Sequence, residues 1–215
     1  KDRCALVEKV ADLIKRDAEI LAAFETRDTG KRMIETRYDM ADIEATFRHF
    51  AALGLKLKDR KVDVGADNIT SVITHEPVGV CALIGPWNYP LLQISWKAAP
   101  ALVAGCSFII KPSELSPSTA IHFMKLLEEA GLPKGVANLI CGAGATAGAP
   151  LAEDPRVDLV SFTGGLITGR RIMATAAQTV KKVALELGGK NPHIIFENSN
   201  LDAAIDNAVT GAFLH

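Results

Sequence analysis

Glu186 lies in VALELGGKNP (residues 183–192), a run of strand formers that carries an ionisable carboxyl and then two glycines and a lysine. Glycine inside a strand gives up packing and order. Gly188 and Gly189 therefore suggest that something approaches this backbone closely, beside the carboxyl. Four other stretches have a similar polar or glycine-rich character: Gly85-Pro86-Trp87-Asn88, Lys111-Pro112-Ser113-Glu114, Gly142-Ala143-Gly144 and Phe162-Thr163-Gly164-Gly165. The last opens onto a helical pattern, so its free backbone N–H groups and the positive helix dipole suit an anion such as a pyrophosphate. Its spacing is not that of a P-loop, because Gly164 to Gly169 runs into Arg170-Arg171. Gly142, Gly144 and Gly148 miss the GxGxxG fingerprint by one residue.

Each stretch follows a short apolar run: residues 78–85, 106–111, 136–142, 157–165 and 180–189. Helical patterns separate the runs, over roughly 91–104, 117–130, 145–153 and 169–178. Strand and helix alternating in this way predict a parallel sheet covered by helices on both faces. In such sheets ligands collect at the carboxyl ends of the strands. Turn punctuation explains one or two of these stretches; five in series point to a shared rim.

Upstream, Leu6, Val10, Leu13, Ile14 and Asp17 follow a helical period, which Ile43, Phe47 and Phe50 repeat after a break at Thr29-Gly30, so two amphipathic helices are expected before residue 55. Residues 61–76 alternate and break at Gly65 to Asn68, predicting a hairpin with few large apolar groups. Such a ribbon needs a neighbour to be stable and is expected to pack on another subunit.

Composition narrows the classes. The chain has 215 residues, 48% hydrophobic and 23% charged, enough to bury a sizeable core. Its 24 basic and 25 acidic residues give a net charge of -1, with no bulk attraction to nucleic acid or anionic lipid. No apolar run reaches the ~18 residues of a membrane span, and KDRCALVEKV lacks a signal-peptide core, so a cytoplasmic location is expected. Cys4, Cys81, Cys106 and Cys141 are widely spaced and the five histidines form no metal-binding pattern, so neither a disulfide framework nor a metal site is indicated.

Taken in order, IGPWNYPL, KPSELSP, SFTGG and ELGGKNP resemble the NAD(P)-dependent aldehyde dehydrogenase family, with a likeness to its betaine-aldehyde and aminoaldehyde branch that covers nearly the whole chain. The resemblance implies an incomplete aldehyde dehydrogenase-like fold: a Rossmann-like sheet with a β-hairpin arm. It divides the chain into N-terminal helices (1–60), an oligomerisation arm (61–76), the NAD-binding core (77–189) and the start of a catalytic domain (190–215). It also assigns roles. Lys111 and Glu114 match the pair that contacts the adenosine ribose, where a carboxylate accepts hydrogen bonds from both hydroxyls and repels a 2′-phosphate, favouring NAD over NADP. Ile84, Trp87, Phe162, Thr163, Gly164, Gly165, Thr168 and Leu187 match the cofactor cleft, with Gly144 and Gly148 toward the adenine. Gly165 replaces a serine common in the family, so backbone donors must serve the phosphate there, and Thr168 replaces an apolar residue.

Asn88 matches the oxyanion donor and Glu186 the general base, whose pKa partial burial would raise. Within a helix beginning after Pro90, Gln93 and Trp96 share a face near Tyr89. This aromatic pair would surround a quaternary ammonium, each face contributing ~0.5–2 kcal/mol, or else belong to the core. The implied nucleophile is a cysteine beyond His215, since none of the four cysteines fits, and the chain alone is expected to be inactive. The implied parent is a homo-oligomer, dimer or tetramer, acting on a small aldehyde. Two alternatives are open on the same residues: a non-catalytic nucleotide-binding module, and a semialdehyde or coenzyme A-acylating relative. Glu186 argues against the acylating type.

Overall fold

The computed structural model describes residues 1–213. Three helices lead: α1 (Asp2–Arg16), α2 (Ala18–Thr29) and α3 (Met33–Lys56). The α1 stripe of Val7, Val10, Ala11 and Ile14 is fully buried, as a helix with one apolar face requires. The sequence reading expected two helices here, and the structure corrects it. Asp17 stands between the first two, its carboxylate accepting from Arg16 Nε at 2.7 Å and lying 2.8 Å from His122 Nε2. This break carries no Gly or Pro to read. The one expected break holds: Gly30 ends α2 in the left-handed conformation (φ 78°), with its N–H on Thr26 O.

The short strands β1 (Arg60–Val62) and β2 (Ser71–Ile73) pair antiparallel, Lys61 opposite Val72. No residue of this hairpin is buried, and Val72 and Ile73 are exposed.

The remaining strands, β3 (Val80–Ile84), β4 (Ser107–Lys111), β5 (Ala137–Leu139), β6 (Leu159–Gly164) and β7 (Lys182–Leu187), form one parallel sheet in the order β5-β4-β3-β6-β7. The chain runs outward from β3 to one side and then resumes from β3 to the other, so the order reverses between β3 and β6. That reversal opens the crevice where doubly wound sheets hold ligands. Helices α4 (Pro90–Ala104) and α5 (Ser118–Ala130) join α1 to α3 on one face; α6 (Ala149–Glu153) and α7 (Leu166–Ala177) cover the other. Strand alternation divides the residues between two cores: Cys81 and Leu83 pack with the first, Ala82 and Ile84 with the second. The helix expected at 145–153 starts with a single π-turn (Gly144–Gly148) before α6. Helix α8 (Leu201–Phe213) has no buried residue.

Candidate active site

The carboxyl ends of β3, β4, β6 and β7 open onto one cleft of about 600 Å³. The β3 turn is anchored on both sides. Gly85 donates its N–H to Lys111 O at 3.0 Å, and Ser116 Oγ donates to Trp87 O at 3.1 Å. A Cβ on Gly85 would lie 3.0 Å from Ile94 Cγ1, so the turn hugs α4. Asn88 and Tyr89 follow along the cleft, and Pro90 starts α4 with its fixed φ. Lys31 Nζ sits 3.6 Å from the centroid of the Tyr89 ring.

At the end of β4, Lys111 is buried and donates from Nζ to Pro112 O at 3.0 Å and to Glu114 Oε2 at 3.3 Å. Glu114 is exposed at the rim, and hydrogen bonding to its own backbone N–H and to Lys111 holds its carboxyl below the usual range. At the end of β6, a Cβ on Gly164 would come within 2.5 Å of Phe162 Cζ, so only glycine keeps that ring in place. Gly165 caps α7 without a side-chain bond, leaving first-turn N–H groups that have no acceptor within the helix. A Cβ there would meet nothing within 4 Å, so the space a serine needs is present.

A second cavity of about 540 Å³ runs between α6 and α7, past Gly144 and Gly148. It shares Ile84, Gly144, Phe162 and Thr168 with the cleft, so the two form one continuous groove. Glu186 and Leu187 of β7 and Gly188 just after it line the cleft, and Glu186 pairs in register with Thr163. Contrary to the expected partial burial, Glu186 is exposed, because β7 is the edge strand and no described element covers it. Leu187 packs on α7, where a Cβ on Gly169 would lie 2.7 Å from Leu187 Cδ2.

The aromatic pair is divided between two surfaces of this chain. Gln93 faces the cleft, whereas Trp96, 47% exposed, lines a shallow depression against α3 with Asp42, His49 and Phe50. A spacing of three leaves side chains about 60° apart around a helix, and α4 turns that difference into two surfaces.

Sequence reasoning missed Lys97. It is buried one turn after Gln93 and donates to Thr163 Oγ1 at 2.8 Å, and Thr163 in turn donates to Gln93 Oε1 at 3.2 Å. Burial pushes the lysine pKa down, against the charge of Glu186, which pulls it up. The available signal was a lysine within the otherwise apolar PLLQISWKAAPALVA. Also missed was Glu25, fully buried on α2, whose Oε1 accepts the Leu91 N–H at the start of α4 at 2.9 Å. Cys4, Cys81 and Cys106 are buried and Cys141 is exposed. Among the described residues no helix is long and apolar enough to cross a membrane.

The family model for the aldehyde dehydrogenase family matches residues 1–215. The chain is 51% identical over 214 residues to betaine aldehyde dehydrogenase of Bacillus subtilis (strain 168), covering 100% of this chain and 44% of that protein. It is 40% identical over 215 residues to mouse retinaldehyde dehydrogenase 3, covering 99% and 42%. A crystal structure of betaine aldehyde dehydrogenase from Staphylococcus aureus in complex with NAD+ superposes with a TM-score of 0.98 at 50% identity, covering 100% of this chain and 42% of that one. The chain thus spans less than half the length of these relatives. With the motifs, the sheet order and these matches in agreement, the chain belongs to the aldehyde dehydrogenase family.

Proposed function

We propose that this chain is the dinucleotide-binding part of an NAD-dependent aldehyde dehydrogenase that oxidises betaine aldehyde or another aminoaldehyde to the acid. The observation that carries the proposal is convergence: Lys111, Glu114, Phe162 and Glu186, from four different strand ends, line one cleft that continues between α6 and α7. The betaine aldehyde dehydrogenases among the relatives, one of them crystallised with NAD+, support the same reading.

The residues fit the cofactor. The Lys111–Glu114 pair offers a donor and an acceptor to ribose hydroxyls, and its carboxylate disfavours a 2′-phosphate. The first turn of α7 offers backbone donors to a pyrophosphate, and the groove past Gly144 and Gly148 takes the adenine. When bound, NAD+ supplies the hydride acceptor. The chain's own residues supply charge stabilisation and proton transfer. Asn88 donates its side-chain amide to the oxygen that becomes negative under nucleophilic attack, a contribution of ~3–4 kcal/mol. Glu186 takes up a proton at the exposed rim, and Lys97, fixed by Thr163, holds positive charge beside it. The attacking thiol comes from a cysteine beyond His215 in the complete enzyme. Residues 1–60, 77–189 and 190–215 serve as helical layer, cofactor core and start of the catalytic domain. The hairpin at 61–76, bare of buried residues, serves as a contact arm in a cytoplasmic dimer or tetramer.

The test is NADH absorbance with betaine aldehyde and NAD+. The full-length protein turns over, the 215-residue chain alone does not, and Asn88→Ala in the full-length protein lowers kcat on the order of 10²–10³-fold. Absence of NADH formation by the full-length protein across a panel of aminoaldehydes overturns the proposal.

A further inference from the structure

Glu25 lies 66 residues upstream of Leu91, yet it is built into the start of α4. Its side chain is fully buried, and Oε1 accepts the Leu91 N–H at 2.9 Å and lies 3.4 Å from the Thr119 hydroxyl of α5. Its other oxygen, Oε2, has no hydrogen-bond partner. A buried carboxylate with an unpaired oxygen is costly, so a role in stability alone is a poor reason for its presence: a serine capping locally would hold α4 at lower cost. The helix end it meets has no cap of its own, because Tyr89 forms no side-chain cap bond and Pro90 has no N–H.

Asn88 stands three residues before Leu91. The turn that carries it is tied on one side through Gly85 to Lys111 and through Trp87 to Ser116. On the other side the tie is the Glu25–Leu91 bond, the one of these contacts that depends on an ionisable group. We infer that Glu25 is a positioning residue for Asn88: its buried carboxylate fixes the start of α4 and so aims the side-chain amide of the preceding turn at the reacting oxygen. This rests on the oxyanion role proposed above.

The surroundings make the anchor sensitive to pH. The charged groups facing Glu25 are Lys31, from the loop after α2, and Asp39, from α3, which form an ion pair with each other; α5 presents the neutral Thr119 and α4 its backbone. Burial pushes the carboxyl up to about 7, with Asp39 adding to the rise and Lys31 opposing it. The positive end of α4 favours the ionised form. The anchor is therefore strongest above neutrality and weakens as the carboxyl takes up a proton.

The test compares the full-length enzyme with its Glu25→Gln variant between pH 6 and 9 at saturating NAD+. Expected for Glu25→Gln is a kcat lower by about tenfold at pH 8, in keeping with a small misplacement of a reacting group, with NAD+ affinity and aldehyde KM within about twofold. The rise in kcat through pH 7 flattens. In an Asn88→Ala background the same substitution changes kcat less than about twofold, because the residue it positions is gone. Hydrogen exchange across residues 86–93 quickens in the variant, a readout that needs no activity. Thr119→Val, which removes one bond to the carboxylate and keeps its charge, lowers kcat about twofold to threefold and serves if Glu25→Gln does not fold. An unchanged pH profile, losses that multiply with Asn88→Ala, or unchanged exchange at 86–93 overturns the inference. If the wild-type enzyme oxidises no aldehyde, the functional reading fails, and the exchange measurement still decides whether Glu25 anchors the turn.

Discussion

The two faces of the sheet are built to different densities. On one, α1 to α5 bury Phe47, Phe108, Phe123, Ile94 and Ile110 completely, with Phe47 and Phe123 meeting edge to face at 5.6 Å between centroids. On the other, α6 and α7 cover a smaller group built around Ala82, Val160, Phe162 and Ile172, and leave the 540 Å³ groove between them. Close packing on the first face holds still Asn88, Lys97 and Thr163, the groups the proposed mechanism must aim. Looser covering on the second leaves room for a flat heterocycle. A single strand serves both purposes by alternation: β3 sends Leu83 to the dense side and Ile84 to the groove.

That contrast can be challenged by substitution. Phe108→Ala, on the dense side, is expected to cost about 4 kcal/mol of unfolding free energy because neighbours fixed on every side cannot collapse into the cavity. Urea unfolding measures it, and a loss under 2 kcal/mol would erase the distinction. Next comes the buried charge on the dense side. The Glu25 carboxyl holds its proton to about 7 in the folded protein, against about 4.5 for the free group, so its contribution to stability is complete below about 4.5 and is lost as pH rises through about 7. The shift corresponds to about 3 kcal/mol. The unfolding free energy of wild type minus that of Glu25→Gln should fall by that order between pH 4.5 and 8, and a flat difference would contradict it.

On the groove side, Ile172→Ala is expected to cost about 2 kcal/mol, the low end for such a truncation, because the side chain already borders open space. A cost equal to that of Phe108→Ala would show the two faces to be equally rigid. The smallest effect belongs to the rim: Glu114→Gln should narrow the preference for NAD over NADP about tenfold by removing the charge that repels a 2′-phosphate. Measuring kcat/KM with each cofactor checks it.

The sheet and its rim were legible in the sequence because each strand ends in a polar or glycine-rich stretch. Lys111 to Glu114 and Phe162 to Gly165 reach one cleft as their position after apolar runs implies. The hairpin was legible from alternation and its glycine break. What was not legible depended on tertiary distance. Asp17, at the break between α1 and α2, meets its partner His122 on α5, 105 residues away. Trp96 shares a helical face with Gln93 in projection, but α3 stands where the two diverge. Glu25 reads as an ordinary helix glutamate, since nothing local announces that its carboxylate ends at Leu91. Lys97 gave the one local hint, a cation inside an apolar helix, and its meaning waited on Thr163 of β6.

A crystal structure of the full-length protein with NAD+ tests the central claim most directly. The account expects the adenine between α6 and α7 beside Gly144 and Gly148, ribose hydroxyls on Lys111 and Glu114, and the pyrophosphate at the first turn of α7. Density for the dinucleotide on any other surface, with this groove empty, would contradict it.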